Sequence, residues 1–525
     1  MQAPGETRNF DPRLLDAFAP GSATVAVNYS LVQGIDVGGL LQSLWRYPYG
    51  CTEQAVSTAM PLLYLDDPVL LAESRLTGQP LGGVPRNAAD VRQRVQRAID
   101  TVIDRQDADG MFGLWRTSDG QLTAWLAAYT VDFLARAKER GYVVPDQALR
   151  LGRQVLARMV GYDGIKDYDA RAYIFLVLAR QRAVDIGALR YFHDNQMDLL
   201  SGALSSAQLG AALALMGDKG RAANAFAIAT QRLFRSAPVN DYYASPLRNI
   251  AAAVGAASEA GASAFLEQAV PALTTAMRPL DSINTLEKAW LTLAAVAMSR
   301  GGWIDIAIND RVLAGGSGQR SLTPSPEDIA RGYHVANVGD RPIWGNLVVH
   351  GTPRQAPPPL SAGIDIGKTI FDLMGNPVDP TQLTQNQRVV VKIEGRLRDS
   401  DYRQLVVVDM LPAGLETEAP VTIDEYGKSN SFPWLGELTR PRMRELRDDR
   451  FIGIAEPYDV DGRPAYSSNW DNRTTLPKGA FVFAYIARAV TPGVFTFPGV
   501  AVEDMYTPAI MARSAPGNLT IAPAP

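Results

Sequence analysis

The stretch Tyr47-Pro48-Tyr49-Gly50-Cys51-Thr52-Glu53-Gln54 holds the chain's one cysteine, three positions ahead of a glutamine. The run that follows, EQAVSTAMPLLYL, suggests a helix starting at about Thr52. Cys51 and Gln54 are then i and i+3 on one face of its first turn, with Cβ atoms about 5–6 Å apart. At that spacing the thiol reaches the side-chain amide, and attack with loss of ammonia gives an internal thioester. A helix N-terminus favours thiolate and polarises the carbonyl. Gly50 permits a sharp turn just ahead, and Pro48 pushes Tyr47 towards an extended conformation. Glu53, between the two, is placed to orient the turn or shuttle a proton. Two other readings stand beside this one. A single cysteine can pack as a small core hydrophobe, or it can act as a hydrolase nucleophile, which needs a histidine base. His193, His334 and His350 are all distant in sequence, and their wide spacing argues against a zinc site.

The elements that must position this pair are set by composition. A chain of 525 residues exceeds one core, and about two to four domains are expected. With 46% hydrophobic and 20% charged residues it is a folded protein and not a disordered one. Its 51 basic and 55 acidic residues are well mixed, which argues against a nucleic-acid surface or an acidic arm. One cysteine excludes an internal disulfide and leaves the redox compartment open. No apolar run reaches the roughly 18 residues that cross a bilayer. The start, MQAPGETRNFDPR, lacks a charged-then-apolar leader pattern. That fits a cytosolic protein or an internal piece of a longer chain carrying a new start methionine.

Residues 21–32, GSATVAVNYSLV, alternate as a strand does. From Leu41 to about Arg300 the chain is rich in alanine and leucine at helical spacing, with short Gly, Asp or Pro stops. About ten to twelve helices of roughly 12–20 residues fit, with successive pairs antiparallel because the links are short. One helix is expected to start near Gln121, after a glycine turn whose Phe112 and Trp115 plug the ends of paired helices. ALMGDKGRAANAFAIA is an ordinary helix–turn–helix step, since no roughly 34-residue period continues from it. After Trp303, RVLAGGSGQRSLT, RGYHVANVGDRP and IWGNLVVHG suggest strands, followed by the stiff segment TPRQAPPPLSAG. From about Ala362 several short strands with Pro and Gly turns point to an antiparallel sandwich. In RVVVKIEGRL, Lys392, Glu394 and Arg396 face one way while Val391 and Ile393 face the other. The expected organisation is an N-terminal segment and first part of a small β domain (1–43), an α/α helical domain (44–304), the second part of the small β domain (305–358) and a β-sandwich (359–525). The helical domain would be an insertion, with the flanking strands sharing one sheet.

YPYGCTEQ resembles the thioester signature of the α2-macroglobulin and complement superfamily, whose core is G-C-x-E-Q, in the form seen in bacterial α2-macroglobulins. DGMFGLW and LTAWLAAYTVDFL are similar to helical steps of that family's α/α-toroid thioester domain. LVVVDMLPAGLE and ARAVTPGVFTFPGVAVEDMYTPAIMAR resemble its final macroglobulin domain. The likeness runs from Gly21 onward, and three motifs in order make it specific. It implies a thioester between Cys51 and Gln54 that lysine amines of proteases attack, a single-turnover inhibitor and not an enzyme, and no cofactor beyond the cross-link. It also implies that aromatic and apolar residues keep the bond dry: Tyr47 and Met505 above all, with Tyr49 and Tyr506. Scarcity of other thiols fits an acyl–sulfur bond open to exchange. Complement-type members carry a histidine that takes over the acyl group. The matching segment here, MVGYDGIKD, has none, so a preference for amines over hydroxyls is expected. Resembling proteins are about three times longer and carry a bait segment that nothing here matches, so this chain reads as a C-terminal portion. The resemblance further implies a periplasmic setting, an inner-membrane anchor in the full-length protein, a link to a peptidoglycan synthase, and a monomer. Two rivals remain: a non-covalent scaffold in which the bond never forms, and an α/α-toroid cyclase or lyase. For the latter, DYDAR and DGMFGLW are weak candidates that look like helix-start and turn residues.

Overall fold

A computed structural model describes residues 1–46, 50–64, 88–117, 119, 123–161, 165–234, 243–298, 303–313, 318–424, 426–457 and 476–524. Two compact units divide the chain, Met1–Arg354 and Gln355–Pro525. The boundary falls inside the proline-rich segment, where fixed φ angles and missing N–H groups leave little to pair.

The first unit contains a small β domain assembled from both ends of the sequence. Its strands are β1 (Thr7–Asn9), β2 (Thr24–Ser30), β3 (Ile306–Ile308), β4 (Arg311–Leu313), β5 (Gln319–Leu322), β6 (His334–Asn337) and β7 (Trp344–His350). β2 lies between β5 and β7 in one antiparallel sheet, and the order β1-β6-β3-β4 makes the other. Val25, Val27 and Tyr29 share one core with Ile304, Ile306, Val335 and Ile343. Ala26, Asn28 and Ser30, on the opposite face of β2, are buried too. β1, β3 and a short helix at Pro326–Ala330 are elements that the sequence reading did not single out.

Between β2 and β3 run twelve helices among the described residues: α1 (Val37–Arg46), α2 (Thr52–Ala59), α3 (Ala88–Ile103), α4 (Ala124–Glu139), α5 (Asp146–Met159), α6 (Tyr168–Arg180), α7 (Ile186–Gln196), α8 (Ala203–Leu215), α9 (Lys219–Arg232), α10 (Pro246–Ala260), α11 (Ser263–Ala276) and α12 (Thr285–Met298). They are 8 to 16 residues long, shorter than the spacing suggested. α2 stops at Ala59 because Pro61 follows, and a 3-10 turn, Pro61–Tyr64, replaces its last stretch. α4 begins at Ala124, where Thr123 caps Leu126 N; Gln121, near which a start was expected, lies outside the described residues.

The even-numbered helices from α2 to α12 touch in a closed ring, α2–α4–α6–α8–α10–α12–α2. Apart from α2, their sequences are apolar almost all round, so burial on every side suits them. In α4 every residue from Trp125 to Ala137 is buried, and in α6 every residue from Ala170 to Ala179. The odd-numbered helices pack outside. α3 buries only Val91, Val95, Ala98, Ile99 and Val102, a stripe at helical spacing. This alternation of inner and outer helices is an α/α toroid. Trp125, Tyr129 and Trp290 stack inside it, with centroids 5.0 and 5.8 Å apart.

The second unit is a β-sandwich. Its strands are β8 (Leu360–Ala362), β9 (Ile364–Phe371), β10 (Leu383–Thr384), β11 (Arg388–Leu397), β12 (Leu405–Met410), β13 (Leu415–Pro420), β14 (Arg444–Arg447), β15 (Arg450–Ala455), β16 (Ala480–Ala489), β17 (Gly493–Phe497), β18 (Val500–Asp504), β19 (Met511–Arg513) and β20 (Gly517–Ala522). The facing sheets run β13-β16-β11-β9 and β14-β15-β12-β18-β19-β8, with a third, β10-β20-β17, beside them. Pairing is antiparallel except for the two-residue β10–β20 contact. Val389, Val391 and Ile393 point into the shared core, while Glu394 and Arg396 are exposed on the other face.

One polar network ties the inner ring. Asp132 of α4 accepts from Arg136 Nε at 2.9 Å and from Arg180 of α6 at 2.8 Å. Glu259 of α10 accepts from Arg180 at 2.6 Å, and Arg136 also donates to Tyr64 Oη. Both arginines lie in the last turns of their helices, where the helix dipoles favour cations. Burial alone would raise the Glu259 carboxyl, but Arg180 and Arg136 outweigh it and hold the group at about 2, against an ordinary 4.5. The folded value is the lower one. The stabilisation is therefore complete above about pH 4.5 and is lost as pH falls through about 2. Glu259→Gln should lower stability at neutral pH by about 3 kcal/mol and by much less near pH 2. Urea unfolding across that range measures both.

Candidate functional site

The first N–H groups of a helix have no partners within it. At α2 this deficit arises in the protein interior, because Cys51 and all eight helix residues are buried. Cys51 takes the N-cap position with extended backbone, φ −64° and ψ 169°. Its Sγ accepts from Gln54 N at 3.4 Å, and the Gln54 carboxamide oxygen accepts from Cys51 N at 3.3 Å. This is a reciprocal capping box with sulfur in place of the usual hydroxyl. It folds thiol and carboxamide back onto the same turn, both with no exposed surface.

The loop after α3 closes over this end. Thr52 N donates to Leu114 O at 2.7 Å, and Thr52 Oγ1 donates to Gly113 O at 2.5 Å. Gly113 is required there, since a Cβ would lie 1.9 Å from Arg116 O. Gly110, at φ +93°, makes the turn that precedes it. Phe112 and Leu114 are fully buried. Arg105 Nη2 donates to Gly50 O at 2.8 Å, while its Nη1 reaches Leu114 O at 3.2 Å and Thr52 Oγ1 at 3.3 Å. Burial pushes this guanidinium below its ordinary value, and the negative charge that Cys51 can carry opposes that push.

Glu53 is completely buried. Its Oε2 lies 4.0 Å from Cys51 Sγ, and its Oε1 accepts from Ser57 Oγ, one helical turn on. Ser57 Oγ is 3.1 Å from Tyr129 Oη of α4. Burial is the main cause that raises the Tyr129 phenol far above its ordinary value, with the Glu53 charge second. Tyr129 is thus a neutral phenol.

The structure brings Cys51, Glu53 and Gln54 together. Tyr47 and Tyr49 lie outside the described residues. Met505 and Tyr506 belong to the second unit and are buried there in the turn after β18. Asp504 Oδ1 accepts from Tyr506 N at 2.8 Å and from Thr507 N at 2.9 Å, and Met505 N donates to Gln404 O at 2.9 Å. His193 bonds Asp194 and Asn224 on the outer helices α7 and α9, and His334 bonds Gly332 O and Asp310 in the small β domain. In DYDAR, Asp167 caps Ala170 N at 2.9 Å and Asp169 holds Ser201 N at 2.9 Å, as helix-start residues do. Arg105, Ser57 and Tyr129 were not singled out by the sequence. Ser57 carried a signal, since it is i+4 from Glu53 on the same helix; the other two come from distant segments.

Comparison with known proteins matches two parts of the chain to family models. Residues 28–160 match the A-macroglobulin TED domain, and residues 363–458 and 471–509 match the bacterial α2-macroglobulin MG10 domain. The α2-macroglobulin of Escherichia coli (strain K12) is 30% identical over an alignment that covers 99% of this chain and 31% of the relative. That of Xylella fastidiosa (strain Temecula1 / ATCC 700964) is 28% identical, with 98% and 31% covered. The chain therefore spans about a third of the length of these relatives. Among solved structures, native E. coli α2-macroglobulin from domain MG7 to the C-terminus superposes with a TM-score of 0.79 at 27% identity, covering 99% of this chain and 81% of that one. Salmonella α2-macroglobulin reacted with methylamine gives 0.77 at 27% identity, covering 99% and 33%.

Arg105 clamps three acceptors around the start of α2. Arg105→Met should destabilise the first unit by about 2 kcal/mol, and Arg105→Lys should recover only part, because one ammonium cannot span the fork. Thermal unfolding of the two variants checks this.

Proposed function

This chain belongs to the bacterial α2-macroglobulin family, and from that premise we propose that Cys51 and Gln54 form an internal thioester that traps proteases covalently. The observation that carries the proposal is the reciprocal cap, which sets the Cys51 sulfur on Gln54 N and the Gln54 carboxamide on Cys51 N within one fully buried turn. In forming the bond, Cys51 Sγ attacks Gln54 Cδ, the thiol proton leaves with the departing nitrogen, and ammonia is released. In using it, a lysine amine attacks Cδ, the C–S bond breaks with its electron pair going to sulfur, and a γ-glutamyl amide and a free thiol result. Glu53 carries the proton in both steps, since its carboxylate lies beside the sulfur. The α2 N-terminus and the Arg105 charge ease departure of the thiolate. The substrates are exposed lysines of proteases, and the role is that of an endopeptidase inhibitor that reacts once. The proposed setting is the periplasm, following the resemblance.

Methylamine is the natural probe, as the relative captured in its methylamine-reacted form indicates. Freshly purified protein should weigh one ammonia less than its encoded sequence. Methylamine should add to Gln54 and release one titratable thiol, whereas glycerol should add far more slowly. Cys51→Ala should do neither. A full encoded mass with a thiol titratable from the outset would favour the scaffold reading instead.

A further inference from the structure

We infer that Ser57 and Tyr129 are positioning residues that hold Glu53 as the ionised proton carrier of this site; the inference rests on the thioester reading. A carboxylate with no exposed surface is costly unless donors satisfy it. Here the donors form a chain with one direction. Ser57 Oγ–H points to Glu53 Oε1, so the Ser57 oxygen is left to accept, and Tyr129 O–H supplies the bond. Bonds of this kind reinforce one another in a buried site and favour the anion. The Ser57 bond is on Oε1, and Oε2 lies 4.0 Å from the sulfur.

The arrangement fits a base that must collect a proton without solvent. When an amine attacks Gln54 Cδ, its nitrogen gains a positive charge and must shed a proton as the C–S bond breaks. Glu53 takes that proton and passes it to the departing Cys51 sulfur, so the site ends with a thiol, an amide and the carboxylate it began with. Other charged groups surround the chain. Tyr129 feels Asp132 on its own helix and Arg248 of α10. Arg105 follows α3 on the sulfur side. On α12, Lys288 neighbours Glu287, which is held by Asn284 N, Ser245 Oγ and Arg278. None of these bonds replaces the Ser57 hydroxyl on Oε1.

The test is the pH profile of methylamine incorporation in the full chain, with each rate expressed per unprotonated amine. Removing a donor from the anion raises the pH at which the carboxylate ionises, so Ser57→Ala should move the acid limb of the profile up by about one pH unit. Ser57→Thr keeps the hydroxyl and should restore the wild-type limb. Tyr129→Phe should move it the same way by less, and should add nothing in the Ser57→Ala background, because Tyr129 acts through Ser57. If Ser57→Ala folds but forms no thioester while Ser57→Thr does, that also supports the inference. An unmoved limb in Ser57→Ala, or a Tyr129→Phe effect undiminished in that background, would overturn it. A wild-type protein of full encoded mass would instead sink the thioester reading itself, so the two failures are told apart.

Discussion

An α-helix that starts inside a protein must find partners for its first N–H groups where no water can serve. That constraint organises the first unit. α2 begins in the interior, and the N–H groups of Cys51, Thr52 and Gln54 donate to the Gln54 carboxamide, the Leu114 carbonyl and the Cys51 sulfur, while the Arg105 fork donates to the Gly50 and Leu114 carbonyls beside them. The sulfur and the amide are drawn to the same turn because the helix needs a cap there. The proposed chemistry thus uses a geometry that folding already enforces. The same burial makes α2 the odd member of the ring. Its neighbours are alanine- and leucine-rich, while it carries Thr52, Glu53, Gln54, Ser57 and Thr58 with little exposure. A polar helix in an apolar ring departs from local consistency, and such departures concentrate at functional sites.

The toroid supplies the rigidity. A closed ring of six inner helices leaves α2 no direction in which to give, and the outer helices cover that ring with one apolar stripe each. α1 touches both β2 and α12, so the chain leaves and re-enters the small β domain at neighbouring places. An insertion whose ends lie close together costs the host sheet little. The Asp132–Arg136–Arg180–Glu259 network joins α4, α6 and α10 through charges that hydrocarbon packing alone would not orient.

Much of this was legible in the residues. The helices announced themselves by period; their inner or outer place was not assigned from the sequence, yet it tracks how far the apolar residues wrap around each one. LTAWLAAYTVDFL reads as buried on all sides, and ADVRQRVQRAI as buried on one. Short elements were harder: β1 and β3 have three residues each, too few for a period to show. A helix end moved where a single residue decided it, as Pro61 did. Cys51, Glu53 and Gln54 could be picked out because one turn of helix sets their spacing. Arg105 and Tyr129 could not. Their place at the site depends on which helices become ring neighbours, and no local pattern encodes that. The sandwich strands followed their alternation, yet Val390 and Val482 are buried on the face that a two-layer pattern assigns to solvent. There Leu435 and Leu438 cover them.

The placement of Glu53 bears on what would control the proposed bond. A carboxylate beside the sulfur that accepts a proton from an attacking amine would accept one from water too. The base therefore adds nothing to the amine's greater nucleophilicity as a guard against a water molecule that reaches Gln54 Cδ. Protection from water must come from access, and access at a fully buried turn is a property of packing. A thioester held here would be long-lived only while the residues around Cys51 and Gln54 stay closed, and reactive once they part. It follows that a trigger for such a site has no need to touch the reacting atoms. It has to displace what covers them, and the base is already in place when that happens.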